Sequence, residues 1–283
     1  MQDPYEGFAG RYDLFYDQFG RPDVQEVEFF RQLFARQEVQ RVLDCACGTG
    51  RHLYLFQSFG CQVIGSDLSP SMLAQARKNL AAHGLDIPLH QVDYRDLPRH
   101  FEQPLDAVVC LSSSILHMPD DQQVLRAFRS MRRVRRPGGI LVLTQGITDR
   151  QWQEKPRFIL AVNTSDFSRL FAIDYLGQGA RYNILDLFHS AERNELKAWS
   201  VEYPRPSGPI CTPCAFLYLA VQCLHRPAWG TLAPGWAGRG ASHCKGDHRC
   251  RLCVHDRHLP YQPGHAQPRL ARHLSALPGL TLS

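Results

Sequence analysis

No apolar run in this 283-residue chain approaches the roughly 20 residues that cross a bilayer; the longest candidate, Ala215–Val221, is far shorter. The opening Met1-Gln2-Asp3-Pro4 has neither a basic nor an apolar leader region, so a secretory route is not expected and the reading is cytoplasmic. Cys45, Cys47, Cys61 and Cys110 are then expected as reduced thiols in a core. Acids are also scarce, but only in one place. Residues 205–283 hold nine Lys+Arg and just Asp247 and Asp256, a net of +7, which leaves residues 1–204 at −2. The formal +5 of the chain is therefore no sign of a nucleic-acid partner. That stretch also concentrates Cys, His and Pro.

What is present up to about residue 150 is an alternation of short apolar runs with helical patterns. Helices are expected over 22–37, 51–59, 70–84 and 119–136, the last stopped by Pro137-Gly138-Gly139. Strands are expected over 41–47, 61–65, 89–92, 105–111 and 140–144. Wholly apolar strands between helices imply a parallel sheet covered on both faces, a doubly wound, Rossmann-like α/β domain. Asp44, Gly48, Gly50, Asp67, Asp93 and Ser112 all fall at or just after strand ends, where such sheets bind ligands. From 158 to 203 the pattern turns to polar–apolar alternation, an antiparallel meander inserted after the fifth strand.

The strongest motif is Asp44-Cys45-Ala46-Cys47-Gly48-Thr49-Gly50. Its glycines admit close approach of a ligand, and the following helix directs free N–H groups at it. A nicotinamide reading meets two obstacles: Leu53 stands where the third fingerprint glycine belongs, and Asp44 would repel a pyrophosphate but suits an ammonium group. The loop resembles that of class I S-adenosylmethionine-dependent methyltransferases, with alanine replacing the first glycine as in glycine/sarcosine N-methyltransferase-like members. The likeness continues through Gly65-Ser66-Asp67-Leu68-Ser69-Pro70, Asp93-Tyr94-Arg95-Asp96-Leu97 and Arg136-Pro137-Gly138-Gly139.

The resemblance implies that the chain binds S-adenosyl-L-methionine and transfers its methyl group to a small-molecule acceptor, with an amine as a candidate. It places Asp44 near the methionine ammonium, with Ala46, Gly48 and Gly50 along the methionine part. Asp67, with Leu68 beside it, takes the ribose hydroxyls, Asp93 the adenine amino group and Tyr94 the ring; Leu111 or Ser112 lies under the methionine part. The segment Tyr5…Arg11-Tyr12-Asp13-Leu14-Phe15-Tyr16 resembles the family's aromatic lid, with Tyr12 and Tyr16 touching the acceptor. A hydroxyl acceptor would need a base; His117 and His52 are the candidates, His117 the better placed. Arg181, Tyr182 and Asn183 are candidate acceptor contacts from the meander. No Asn/Asp-Pro-Pro-aromatic run follows the fourth strand, and the Arg126–Arg136 face reads as solvated. RNA methylation and a catalytically impaired cofactor-binding or interaction protein remain the alternatives. No metal is expected in the domain, and the oligomeric state is left open.

Residues 1–204 thus read as the methyltransferase-like domain, with 22–150 as cofactor core and 158–203 as a meander over the acceptor site. Residues 205–283 lack the closing helix and hairpin that the family would supply. They read as a disordered or out-of-frame segment, with a zinc module on Cys211, Cys214, Cys250 and Cys253 as the second reading. On the first reading the fifth strand is left with an unpaired edge.

Overall fold

The computed structural model describes residues 3–16, 19–145, 154–177, 179–204 and 219–222. A short helix α1 (Ala9–Tyr12) runs into a 3-10 turn, Asp13–Phe15. Helix α2 (Val24–Arg36) starts at Asp23, whose side chain accepts from the backbone N–H groups of Gln25 and Glu26. There follow β1 (Arg41–Asp44), α3 (Arg51–Ser58), β2 (Gln62–Asp67) and α4 (Pro70–Ala82). Ser69 caps α4 and Pro70 opens it, the arrangement that Ser-Pro in this position favours. The core continues with β3 (Leu89–Gln91), β4 (Leu105–Cys110), α5 (Asp121–Val134) and β5 (Arg135–Gln145).

Strand pairing is parallel throughout, in the order β5-β4-β1-β2-β3. The order reverses between β1 and β4, which opens a crevice at their carboxyl ends. Side chains alternate across the sheet and so build two cores. Leu43, Val108 and Cys110 join Phe128 and Met131 on one face; Val42, Ala107 and Val109 join Phe30, Leu53 and Phe56 on the other. Each fully buried Leu or Phe contributes about 1.5–3 kcal/mol. This is the doubly wound α/β domain that the strand–helix alternation implies.

Two boundaries differ. Helix α5 ends at Val134, and Arg135 is already extended, paired with Leu105; Ala107 then pairs with Ile140, so residues 136–139 bulge from the ladder. The Arg136 Nε–Asp106 Oδ1 ion pair, 2.5 Å, holds the bulge to β4 where a helical turn was expected. The second difference is at the sheet edge. Residues Leu219–Gln222 form a tenth strand parallel to β5, Leu219 opposite Val142 and Gln222 opposite Gln145. The expectation of an unpaired edge is therefore corrected, because four residues from beyond 204 satisfy that ladder. The candidate zinc ligands lie outside the described residues.

After β5 the chain builds a separate antiparallel sheet from β6 (Phe158–Asn163), β7 (Phe167–Leu176), β8 (Gly179–Ser190) and β9 (Arg193–Pro204), in that order; Leu219–Gln222 is β10. The meander thus has four strands, Phe158–Asn163 being the addition. Its inner face carries Arg169, Ile173, Ala180, Ile184, Asp186 and Val201, all buried. No helix of the described residues is long and apolar enough to cross a membrane, and no group of three His, Cys, Asp or Glu among them could hold a metal ion.

Candidate functional site

Asp44 ends β1 fully buried. Its Oδ1 accepts from the Ala46 N–H at 3.2 Å, whereas its Oδ2 has no partner at all. Burial pushes the carboxyl up to about 6, with Asp67 adding to the shift and His52 opposing it. A buried, unpartnered carboxylate oxygen is costly. It is also a ready acceptor for a cationic N–H donor. Asp67 ends the neighbouring strand β2 and accepts from the N–H groups of Gly48 and Ser69, each at 2.9 Å. Burial raises its pKa, and these backbone hydrogen bonds only partly offset it. Two acids at adjacent strand ends make a crevice short of positive charge.

The glycine turn between them follows from local geometry. Gly50 has φ +89° and caps α3, and a Cβ there would lie 3.4 Å from both Ala76 and Leu80 of α4. A larger residue would strain the turn and push the two helices apart. Ala46 and Gly48 flank the gap; Leu68 is about half exposed beside Asp67. On the far side Leu111 is buried, and Ser112 and Ser113 both adopt left-handed backbone, φ +53° and +64°. Two such serines in succession mark a strained turn where β4 meets the crevice. Asp93 is taken up by Arg95, whose Nη2 lies 2.5 Å from its Oδ2, and Tyr94 donates to the Ser114 carbonyl at 3.1 Å. The adenine-side acid of the sequence reading therefore already has a cationic partner.

The N-terminal segment closes over this crevice, pinned at several points. Asp3 accepts from the Ser71 N–H at 2.9 Å, and Asp13 accepts from Thr49 Oγ1 at 2.5 Å and from Asn79 Nδ2 at 2.7 Å. Phe8 stacks on Trp199 of β9, centroids 4.2 Å apart and planes 4° from parallel. Arg169 of β7, fully buried, pairs with Asp186 and donates to the Arg11 carbonyl at 2.8 Å; its guanidinium lies 4.2 Å from the Phe15 ring centroid. Arg11 pairs with Asp186 as well. Sequence reasoning missed Asp3, Asp13, Arg169 and Asp186. Only a search for isolated charges in otherwise apolar alternation could have marked Arg169 and Asp186, and nothing local distinguishes the other two.

His117 and three tyrosines meet beneath the cover. Tyr5 Oη is 2.8 Å from His117 Nε2, and the Tyr203 ring lies 4.9 Å from the imidazole. Tyr5 and Tyr12 are edge-to-face at 6.4 Å. Burial lowers His117 to about 4, so the ring is neutral at physiological pH, and burial raises the Tyr5 and Tyr12 phenols well above their ordinary range. Tyr16 lies under Arg51, 4.3 Å from guanidinium carbon to ring centroid. His52, the other candidate base, is instead bound to Glu26 Oε1 at 2.9 Å in a buried cluster with Arg51. Burial alone would raise the Glu26 carboxyl, but the hydrogen bonds and charges of His52 and Arg51 outweigh it and hold it at about 2. Of the three meander candidates only Tyr182 faces inward, edge-on to Tyr203 at 5.3 Å. Arg181 and Asn183 point to the outer face, because side chains alternate along β8: Arg181 pairs with Glu202, and Asn183 bonds Asp174 and the Ala172 carbonyl.

Residues 42–139 match the protein family described as "Methyltransferase domain". Those residues are a methyltransferase domain. The chain is 33% identical over 150 residues to a glycine/sarcosine N-methyltransferase of Parasynechococcus marenigrum (strain WH8102), covering 53% of each protein. It is 29% identical over 207 residues to the dTDP-3-amino-3,4,6-trideoxy-alpha-D-glucopyranose N,N-dimethyltransferase of Streptomyces venezuelae, 65% of this chain and 85% of that one. Among solved structures, the sugar N-methyltransferase KedS8 of Streptoalloteichus sp ATCC 53650 superposes with a TM-score of 0.53 at 28% identity, over 69% of this chain and 78% of that one. The chain spans about half the length of the first curated relatives it matches. In the methyltransferase domain the crevice lies at the switch between β1 and β4, and the antiparallel sheet and N-terminal segment roof it.

Proposed function

We propose that this chain transfers a methyl group from S-adenosylmethionine to the amino group of a small acceptor, and that the acceptor is an amino sugar rather than an amino acid. The unpartnered Oδ2 of buried Asp44 carries the cofactor reading. Beside the glycine turn it fits an ammonium group, and Asp67 on the next strand fits ribose hydroxyls. Tyr94, Leu111 and Ser112 would line the remainder, and Asp93 would reach the adenine only while keeping Arg95. When bound, the cofactor supplies an electrophilic methyl on a sulfonium sulfur. The protein's own part is to align the acceptor and exclude water, effects worth up to about 7–11 kcal/mol in well-oriented reactions.

The acceptor reading rests on the roof. Tyr5, Tyr12, Tyr203 and His117 give a dry wall of rings and hydroxyls, which disfavours the charged form of an amine and so presents it as the attacking free base. A neutral His117, held by Tyr5, orients the acceptor; burial has made it too weak a base to deprotonate a hydroxyl efficiently. The nearby arginines are each engaged by an acid: Arg51 by Glu26, Arg11 and Arg169 by Asp186, Arg95 by Asp93. Among the described residues each of these arginines is thus already engaged, Arg11 and Arg169 sharing the one carboxylate of Asp186, which disfavours their recruitment by an amino-acid carboxylate. The longer-matching relative is also the one named for an amino-sugar substrate.

Calorimetry of the full chain with S-adenosylhomocysteine, followed by a methyl-release assay on amino sugars, nucleotide-linked amino sugars, glycine and sarcosine, tests both parts. Binding with turnover on an amino sugar is expected. Binding without turnover on any acceptor favours the non-catalytic alternative; no binding overturns the cofactor reading. Turnover on glycine alone overturns the acceptor reading.

A further inference from the structure

In sequence the arginines of α5 form a solvated face; in the structure that face meets a second wall. Arg126, Arg129 and Arg133 lie three and seven residues apart and so share one side of the helix. The other side, with Val124, Ala127, Phe128, Met131 and Val134, is buried in the core. A 3-10 turn, Leu97–Arg99, packs beside the arginine face, its Leu97 N–H donating to Ser130 Oγ at 2.9 Å. Between turn and helix lies a groove of about 630 Å³. Arg95, Arg99, Arg126, Arg129 and Arg133 line it, and among the described residues Asp96 is the one acid that does; Pro98 and Leu125 give it apolar surface.

We propose that this groove binds the diphosphate group of a nucleotide. Five guanidinium groups face one carboxylate there, whereas residues 1–204 as a whole carry a net of −2. The positive charge is thus gathered locally against the average of the domain. Asp96 is taken up by Arg126 at 2.7 Å, and Arg99 and Arg133 have no acid partner among the described residues. Like charges this close repel, a cost that a bound anion offsets. A cleft lined by one sign also focuses its field and concentrates ligands of the other sign. Every cation in it is arginine, whose planar fork matches phosphate oxygens two at a time. The volume falls within the range of about 300–1,000 Å³ typical of small-molecule sites, which suits one nucleotide better than a nucleic-acid backbone. Pro98 and Leu125 offer the base an apolar surface beside the arginines.

The groove is separate from the crevice. Asp44, Gly48 and Asp67 take no part in its lining. Arg95 alone belongs to both places: it lines the groove, donates to Gln123 Oε1 at 2.9 Å, and holds Asp93 through its Nε at 2.9 Å. Arg99 and Arg133 touch none of the cofactor-side residues, so they report on the groove by itself.

Calorimetry of the full chain with uridine diphosphate, inorganic pyrophosphate and uridine tests the proposal; an adenine nucleotide would also report on the crevice. Uridine diphosphate is expected to bind at least as tightly as pyrophosphate, uridine far more weakly, and both anions less tightly as salt is added. Arg99→Ala with Arg133→Ala is expected to weaken uridine diphosphate by at least about 30-fold, the loss of two charge-assisted contacts, with the melting temperature unchanged. Arg31→Ala, on the exposed face of α2, should leave the affinity as it was. No heat from uridine diphosphate at about 1 mM, weaker than the ordinary range of small-ligand affinities, overturns the proposal. So do binding that survives the paired substitutions, uridine binding as tightly as its diphosphate, and a short single-stranded RNA that binds more tightly than uridine diphosphate.

Discussion

Strand β1 hides Val42, Leu43 and Asp44 completely, whereas β6 leaves Phe158 and Leu160 largely in the open. The contrast runs through both sheets. The central strands β1 and β4 of the parallel sheet are packed on both faces, so even the functional acid is buried and burial raises its pKa. The antiparallel sheet has one packed face, and on that face the buried acid Asp186 is held by two arginines, Arg169 and Arg11. The cofactor side therefore holds an unpartnered acid, and the roof holds one that is fully engaged. A site keeps an expensive group unsatisfied where a ligand is to satisfy it, and satisfies its own charges where the role is only to hold shape.

The sharpest way to break this comparison is Arg169→Met. It strands Asp186 in a buried site with only Arg11 as a cationic partner, and a loss of about 3–5 kcal/mol in unfolding free energy is expected. Arg169→Met with Asp186→Leu should recover much of it, measured by denaturant unfolding. If the single substitution costs under about 1 kcal/mol, the pair is not what fastens the N-terminal cover to β7.

Next in size is Asp44→Asn, which keeps the shape and removes the charge. Affinity for S-adenosylhomocysteine should fall roughly 10–100-fold, the value of one charge-assisted hydrogen bond of about 1.5–3 kcal/mol, with the melting temperature unchanged or raised. A lowered melting temperature with intact affinity would count against the ligand role.

The pH dependence of Asp44 sharpens the same point. Its folded pKa, about 6, stands above the ordinary 3.8. The folded chain thus holds a proton that the unfolded chain releases. The stability from that proton is fully present below about pH 4 and is lost as the pH rises through about 6, an effect of ~3 kcal/mol. Ligand binding needs the ionised form, so it should run the other way, weakening about tenfold per pH unit below pH 6. His117 has the opposite shift, from 6.5 to about 4, so its contribution is lost as pH falls through that window. Unfolding curves of Asp44→Asn against the unmodified chain between pH 4 and 7 isolate the first term.

Gly65→Ala probes the packed side. A Cβ there would sit 2.6 Å from both Leu53 and Leu89 side chains, and a loss of about 1–3 kcal/mol is expected from overpacking. The smallest effect should come from Tyr5→Phe, which removes one hydrogen bond to His117. The acceptor KM should rise a few-fold, about 0.5–1.5 kcal/mol, with cofactor affinity unchanged.

Much of this was legible beforehand because it is local. The glycine turn, the acids at strand ends and the Ser-Pro helix start depend on neighbours within a few residues, and they led to the five-stranded core and to the crevice at its edge. The boundary at Arg135 was not legible, since its extension depends on Asp106 some thirty residues away in β4. His52 and His117 look alike in sequence; only packing gave one to Glu26 and the other to Tyr5. The fourth meander strand and the pairing of β10 likewise follow from partners distant in the chain.

The amino-acid sequence by itself determined the alternation of strands and helices, the order of the motifs and the identity of the acids beside the glycine turn. Those are properties of backbone propensity and side-chain period. Tertiary structure decided which charges are matched: Asp186 neutralised, Asp93 engaged, one oxygen of Asp44 left bare. The Asp93–Arg95 pair is local, but the bare oxygen of Asp44 depends on desolvation and the neutralisation of Asp186 on partners from other segments, Arg169 on the next strand and Arg11 175 residues away, which no local pattern records.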